Sequence, residues 1–145
     1  MKYTVTIDID ANIERVIDLF DNSENMRHWQ PDLISVDTIS GAPGKVGSEA
    51  RLVYQMGKRE IVMTEVITKK SLPQTFNAVY ETANVWNLVE NSFIDLGQGR
   101  TRWVCTNEFK CTGFVRVLSL LMPNMFKQQS IKHQQLFKDF VENAY

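Results

Sequence analysis

Between Leu33 and Lys110 the apolar residues recur almost entirely in period two, and from Phe114 to Val141 they recur every three or four residues. This one switch of period constrains the fold most. Ala50, Leu52, Tyr54 and Met56 alternate with Glu49, Arg51, Val53 and Gln55, the pattern of a two-faced strand. Further strands are predicted over Leu33–Ser40, Arg59–Lys70, Thr75–Thr82, Val85–Asp95 and Thr101–Lys110. The breaks between them are Gly41–Gly47, Gly57-Lys58, Ser71-Leu-Pro73 and the hairpin signal Gly97-Gln98-Gly99. Parallel neighbours need crossovers of a dozen or more residues, so such short breaks imply an antiparallel meander.

Helices flank this run of strands. Residues 2–9 alternate as one more strand; Asp10 is the expected N-cap of a short helix carrying Ile13, Val16, Ile17 and Phe20. Asn22-Ser23 break that helix, Ser23 is placed to cap a second one with Met26 and Trp29, and Pro31 ends it. Near the C-terminus Phe126, Ser130, His133, Phe137, Phe140 and Val141 share one face, with Lys127, Lys132, Gln135, Lys138, Asp139 and Glu142 on the other. This predicts a long amphipathic helix, either kinked at Pro123 or restarted there. Leu118, Leu120, Leu121, Met122 and Met125 supply more apolar surface than one helix face needs. A helix entry buried on both sides is expected, a membrane- or partner-facing patch being the other reading.

Composition narrows the function classes. A chain of 145 residues suits one domain over 1–145. A formal charge of −1 lacks the surplus of Lys and Arg that nucleic acid or an anionic membrane would require. No apolar run approaches the ~20 residues of a bilayer span, and Met1 to Asp10 does not read as a signal peptide. A cytoplasmic protein is expected. Cys105 and Cys111 lie six apart on a strand, about 20 Å, so two free thiols are expected rather than a disulfide. With His28 and His133 they form no recognisable zinc-ligand spacing, and neither a metal nor a cofactor is expected. No Ser/His/Asp order, nucleophile elbow, phosphate loop or dinucleotide fingerprint is present.

The order of elements, together with Asn12-Ile-Glu-Arg-Val-Ile-Asp-Leu-Phe20, Trp29-Gln-Pro31, Pro43-Gly-Lys-Val-Gly47 and Gly97-Gln-Gly-Arg-Thr-Arg-Trp103, resembles the START-like superfamily, in its polyketide cyclase/dehydrase and lipid-transport branch. The resemblance covers essentially the whole chain. It implies an α+β helix-grip fold, in which a curved antiparallel sheet of six to seven strands wraps a long C-terminal helix and two short helices follow the first strand. It also implies a cavity between sheet and helix, and brings no shared catalytic motif.

Strand parity says which side chains would face such a cavity. Pairing across the Gly97 hairpin sets Phe93 beside Trp103, Asn91 beside Cys105 and Val89 beside Asn107, on an uncharged face that Phe109 shares. The opposite face carries Glu90, Arg102, Glu108 and Lys110. Tyr54 and Met56 are expected inside from an earlier strand, and Phe76 and Tyr80 from the next. His133 and Phe137 join them from the terminal helix, and Trp29 at the opening. The same residues describe an ordinary core, except that inward Asn91 and Asn107 need water, a ligand or each other. For residues 59–70 both parities are open, Ile61, Met63 and Ile67 against Val62, Thr64 and Val66. A hydrophobic or amphipathic small molecule (lipid, polyketide, isoprenoid or aromatic metabolite) is the expected partner, and a homodimer is left open. The alternatives are a cyclase or dehydratase using Glu65 or Glu90 with Tyr54 or Tyr80, and a co-chaperone-like module with a filled cavity.

Overall fold

The computed structural model describes residues 1–144. One seven-stranded, wholly antiparallel sheet contains β1 (Lys2–Ile9), β2 (Leu33–Ser40), β3 (Glu49–Met56), β4 (Arg59–Ser71), β5 (Thr75–Glu81), β6 (Val85–Gly97) and β7 (Arg100–Cys111). Its order is β1-β7-β6-β5-β4-β3-β2, a meander whose last strand returns to pair with the first. The β6–β7 register is the one the sequence predicts, with Phe93 opposite Trp103, Asn91 opposite Cys105 and Val89 opposite Asn107. A two-residue turn holds that register: Gln98 and Gly99 have φ of 56° and 71°, the left-handed pair that matches strand twist.

The helices are α1 (Ile13–Phe20), a 3-10 turn (Ser23–Asn25), α2 (Met26–Trp29), α3 (Gly113–Leu121) and α4 (Met125–Asn143). Two caps differ from expectation. Asn12, not Asp10, caps α1, its side chain accepting from the Arg15 N–H at 3.0 Å. Asn22, not Ser23, caps the next turn through the Glu24 N–H. Asp10 is used differently, its N–H donating to Glu142 at the far end of α4. At Pro123 the terminal helix is broken and restarted, with Met122–Asn124 between α3 and α4.

Directed polar contacts hold α4 across β1 and β7. Tyr3 donates to the Phe126 carbonyl at 3.1 Å and meets Ser130 Oγ at 2.7 Å. Gln134 Nε2 donates to the Val5 carbonyl at 3.1 Å and the Trp103 carbonyl at 3.5 Å. Arg15 caps the C-terminal end by donating to the Val141 and Ala144 carbonyls. Val5, Ile9, Val16, Phe93, Phe137 and Val141 form the main core between sheet, α1 and α4. A smaller cluster of Leu33, Ala50, Leu52 and Tyr54 lies under β2–β4.

The expectation of a doubly buried segment before Pro123 is not met. Phe114, Leu120 and Leu121 are 70%, 74% and 75% exposed. Only Val115, Leu118 and Ser119 on α3 turn toward the protein, because β7 and the cavity mouth cover just one side of this helix.

Candidate functional site

A cavity of about 1020 Å³ lies between the inner face of the sheet and α4, walled by members of both buried clusters. Asn22, Pro43 and Gly44 are exposed residues on its rim. There Lys70 Nζ donates to Asp21 Oδ1 at 2.9 Å and to the Gly44 carbonyl at 2.8 Å, joining the end of α1 to the glycine-rich loop.

Strand alternation sends Trp103, Cys105 and Asn107 into the wall from β7, Asn91 from β6, and Phe76 and Tyr80 from β5. Tyr54 and Met56 come from β3, although Met56 is 38% exposed and stands at the edge. Trp29 and His133 line the cavity from the helical side. Phe93 and Phe137 do not line it. Both are buried behind Phe20, which faces the cavity and packs on their rings at centroid distances of 4.9 and 5.8 Å. A residue can face the interior and still be shielded by another ring, a distinction parity does not carry. His28 lies outside, stacked on Phe140.

The open parity of β4 resolves toward Ile61, Met63, Glu65 and Ile67 inside, while Val62 is 40% exposed. Glu65 is therefore an inward carboxyl, and Tyr80 donates to its Oε2 at 2.6 Å. Glu90 is exposed on the other face.

The two asparagines are satisfied by the protein, and not by each other. Asn91 accepts from Trp103 Nε1 at 2.9 Å and donates to the Phe76 carbonyl at 3.1 Å. Asn107 accepts from Asn87 at 3.2 Å and donates to Cys105 Sγ at 3.3 Å. They stiffen the wall, since each buried amide is already paired. Among the described residues, Trp29 Nε1 is the buried side-chain nitrogen without a partner; rings of Trp103, Phe137 and His133 stand edge-on to its indole.

A model of the family described as "Polyketide cyclase / dehydrase and lipid transport" matches residues 1–136. The chain belongs to this family. A comparison with curated proteins by sequence finds no match. Three solved structures illustrate how far the polyketide cyclase/dehydrase and lipid-transport architecture extends. The Zhui aromatase/cyclase from Streptomyces sp. R1128 superposes with a TM-score of 0.81 at 12% identity, over 98% of this chain and 93% of that one. A START superfamily protein from Mycobacterium smegmatis gives 0.78 at 12% identity, over 99% of both chains. A conserved protein from Geobacillus kaustophilus gives 0.84 at 10% identity, over 99% and 97%. At such identities the likeness is one of fold, the helix-grip arrangement anticipated from the sequence.

In this family member burial dominates the electrostatics of the cavity. It raises the Glu65 carboxyl above the usual carboxylate range, against the opposing hydrogen bond from Tyr80. The Tyr54 and Tyr80 phenols are raised by burial and by Glu65 beside them, so both stay protonated donors. Burial pushes the Cys105 thiol up to about 12, which leaves it a poor nucleophile at neutral pH. His133 is pushed down to about 4 by burial and by Lys132, and is neutral at pH 7. Among the described residues no group of three His, Cys, Asp or Glu is placed to hold a metal ion. No helix of the described residues is long and apolar enough to cross a membrane.

Reading the sequence missed Gln30, Gln134 and Phe20. Gln30 is 9% exposed and accepts from Tyr54 at 2.6 Å. Gln134 lies four residues after Ser130 and three before Phe137, so helical spacing did carry the signal and its polarity concealed it.

Proposed function

We propose that this chain binds a hydrophobic or amphipathic small molecule in the cavity between sheet and α4. The observation that carries the reading is the cavity itself: about 1020 Å³ walled by Met63, Ile67, Phe76, Val89 and Trp103. That volume lies at the upper end of the range for small-molecule sites, about 300–1,000 Å³. Family membership points the same way. Native mass spectrometry of the purified full chain, with extraction of any retained molecule, tests it. A single organic adduct is expected. A bare mass, with no thermal shift from lipid or aromatic panels, would contradict it.

The Glu65–Tyr80 hydrogen bond favours a second reading, an acid–base lyase or isomerase working in the same cavity. A protonated Glu65 would serve as acid and Tyr80 as a hydroxyl donor to a carbonyl. Incubating the extracted molecule with wild type and with Glu65→Gln separates the readings. A product made only by the wild type favours the enzyme; recovery unchanged from both favours the binder. The co-chaperone-like reading required a filled cavity, which a space of this size does not support.

A further inference from the structure

We propose that the cavity selects its ligand by charge at Glu65, taking an apolar molecule whose polar end is a protonated amine and refusing one that ends in a carboxylate. The proposal rests on the reading of the cavity as a binding site and adds the class of ligand it takes.

Glu65 projects from the middle of β4, paired in register with Ala50 on one side and Tyr80 on the other. A carboxylate offers about four lone-pair sites on its two oxygens. Here one oxygen takes the Tyr80 hydroxyl, and Oε1 has no protein donor among the described residues. The phenol of Tyr54 is committed to Gln30. The ion pairs of the described residues join Lys70 to Asp21, Arg100 and Arg102 to Asp8, and Lys138 to Glu142, and none involves Glu65. Arg59 is the basic side chain of the lining, six residues away along the same strand and so about 20 Å distant at the rim. His133 carries no charge at neutral pH.

An inward acid without a counter-charge is costly in an apolar wall, and burial accordingly holds Glu65 toward its protonated form. An ammonium group beside Oε1 would restore the ionised form and fill the unused acceptor positions. A carboxylate there would meet like charge whenever Glu65 ionises, so the two acids would have to share one proton and the pair would keep its negative charge uncompensated in the wall. The rest of the lining does not offset Glu65, since Asp21 is paired with Lys70 at the rim and Asp18 balances Arg59.

The test uses dodecylamine, dodecanol and dodecanoate, below their micelle concentrations at pH 7, to displace Nile red from the full chain. The expected order is amine, alcohol, carboxylate, with the amine at least about tenfold tighter than dodecanoate. Glu65→Gln should bring the two within about threefold, and Tyr80→Phe, which keeps the carboxyl, should retain the preference. Thermal melts establish that each variant is folded. Equal or tighter binding of dodecanoate by the wild type, or a preference that survives in Glu65→Gln, would overturn the proposal while the binding reading stands. If neither Nile red nor any of the chains binds, the binding reading falls and this proposal with it.

Discussion

His133 on α4 and Glu65 on β4 face one cavity, and burial shifts them in opposite directions because it penalises whichever form is charged. For His133 the folded value of about 4 lies below the ordinary value of 6.5. Between those values the unfolded chain binds more protons, so this contribution to stability is complete above pH 6.5 and is lost as pH falls toward 4. The loss amounts to at most about 3 kcal/mol. His133→Gln should lack this slope in denaturant melts at stepped pH, and an NMR titration should place the histidine midpoint near 4. A midpoint near the ordinary value would contradict the buried placement. For Glu65 the sign reverses. Its folded pKa lies above the ordinary value of 4.5, so the folded state holds the proton longer and loses relative stability as pH rises through that window. Glu65→Gln keeps an acceptor for Tyr80 without the charge, so it should gain on the wild type in the same melts as pH rises toward neutrality.

At the scale of elements, α3 and α4 should respond very differently to mutation. Phe137 is wholly buried and touches the rings of Phe20, Trp29 and Trp103. Phe137→Ala should cost about 3–5 kcal/mol in urea unfolding. Leu121, 75% exposed on α3, should tolerate Leu121→Ser within about 0.5 kcal/mol. A loss as large as that of the core variant would mean that α3 is covered. At the rim, Lys70 is partly exposed and its pair with Asp21 contributes little to stability. Lys70→Ala should therefore melt within about 1 kcal/mol of the wild type, yet release Nile red faster in stopped flow, because the Asp21–Gly44 connection is lost.

These contrasts mark how much of the fold and site was legible in the sequence. The β6–β7 face could be read to the residue because one face is charged, the other is not, and a two-residue turn leaves a single register. β4 could not, since apolar residues occupy both of its faces and only pairing with β3 and β5 turns Glu65 inward. The apolar excess of α3 was visible, but composition does not say what covers a helix. Asp10 and Asn12 are both competent caps, and the chain's geometry after β1 selects Asn12.

At the scale of the whole molecule, seven strands curve against one long helix and leave about 1020 Å³ between them, in a chain of the polyketide cyclase/dehydrase and lipid-transport family. Paired asparagines and tyrosines hold the walls, and Tyr3, Arg15 and Gln134 hold the helix. Space of this size that no side chain fills forgoes packing contacts that a filled core would make. Occupancy by an apolar ligand, as proposed, would restore those contacts. Titration of Nile red into the wild type and into Met63→Trp, which fills the cavity from β4, tests this most directly. The wild type should bind one dye with a blue-shifted emission, and folded Met63→Trp should bind at least about tenfold more weakly. Equal binding by the two proteins, or no binding by the wild type, would contradict it.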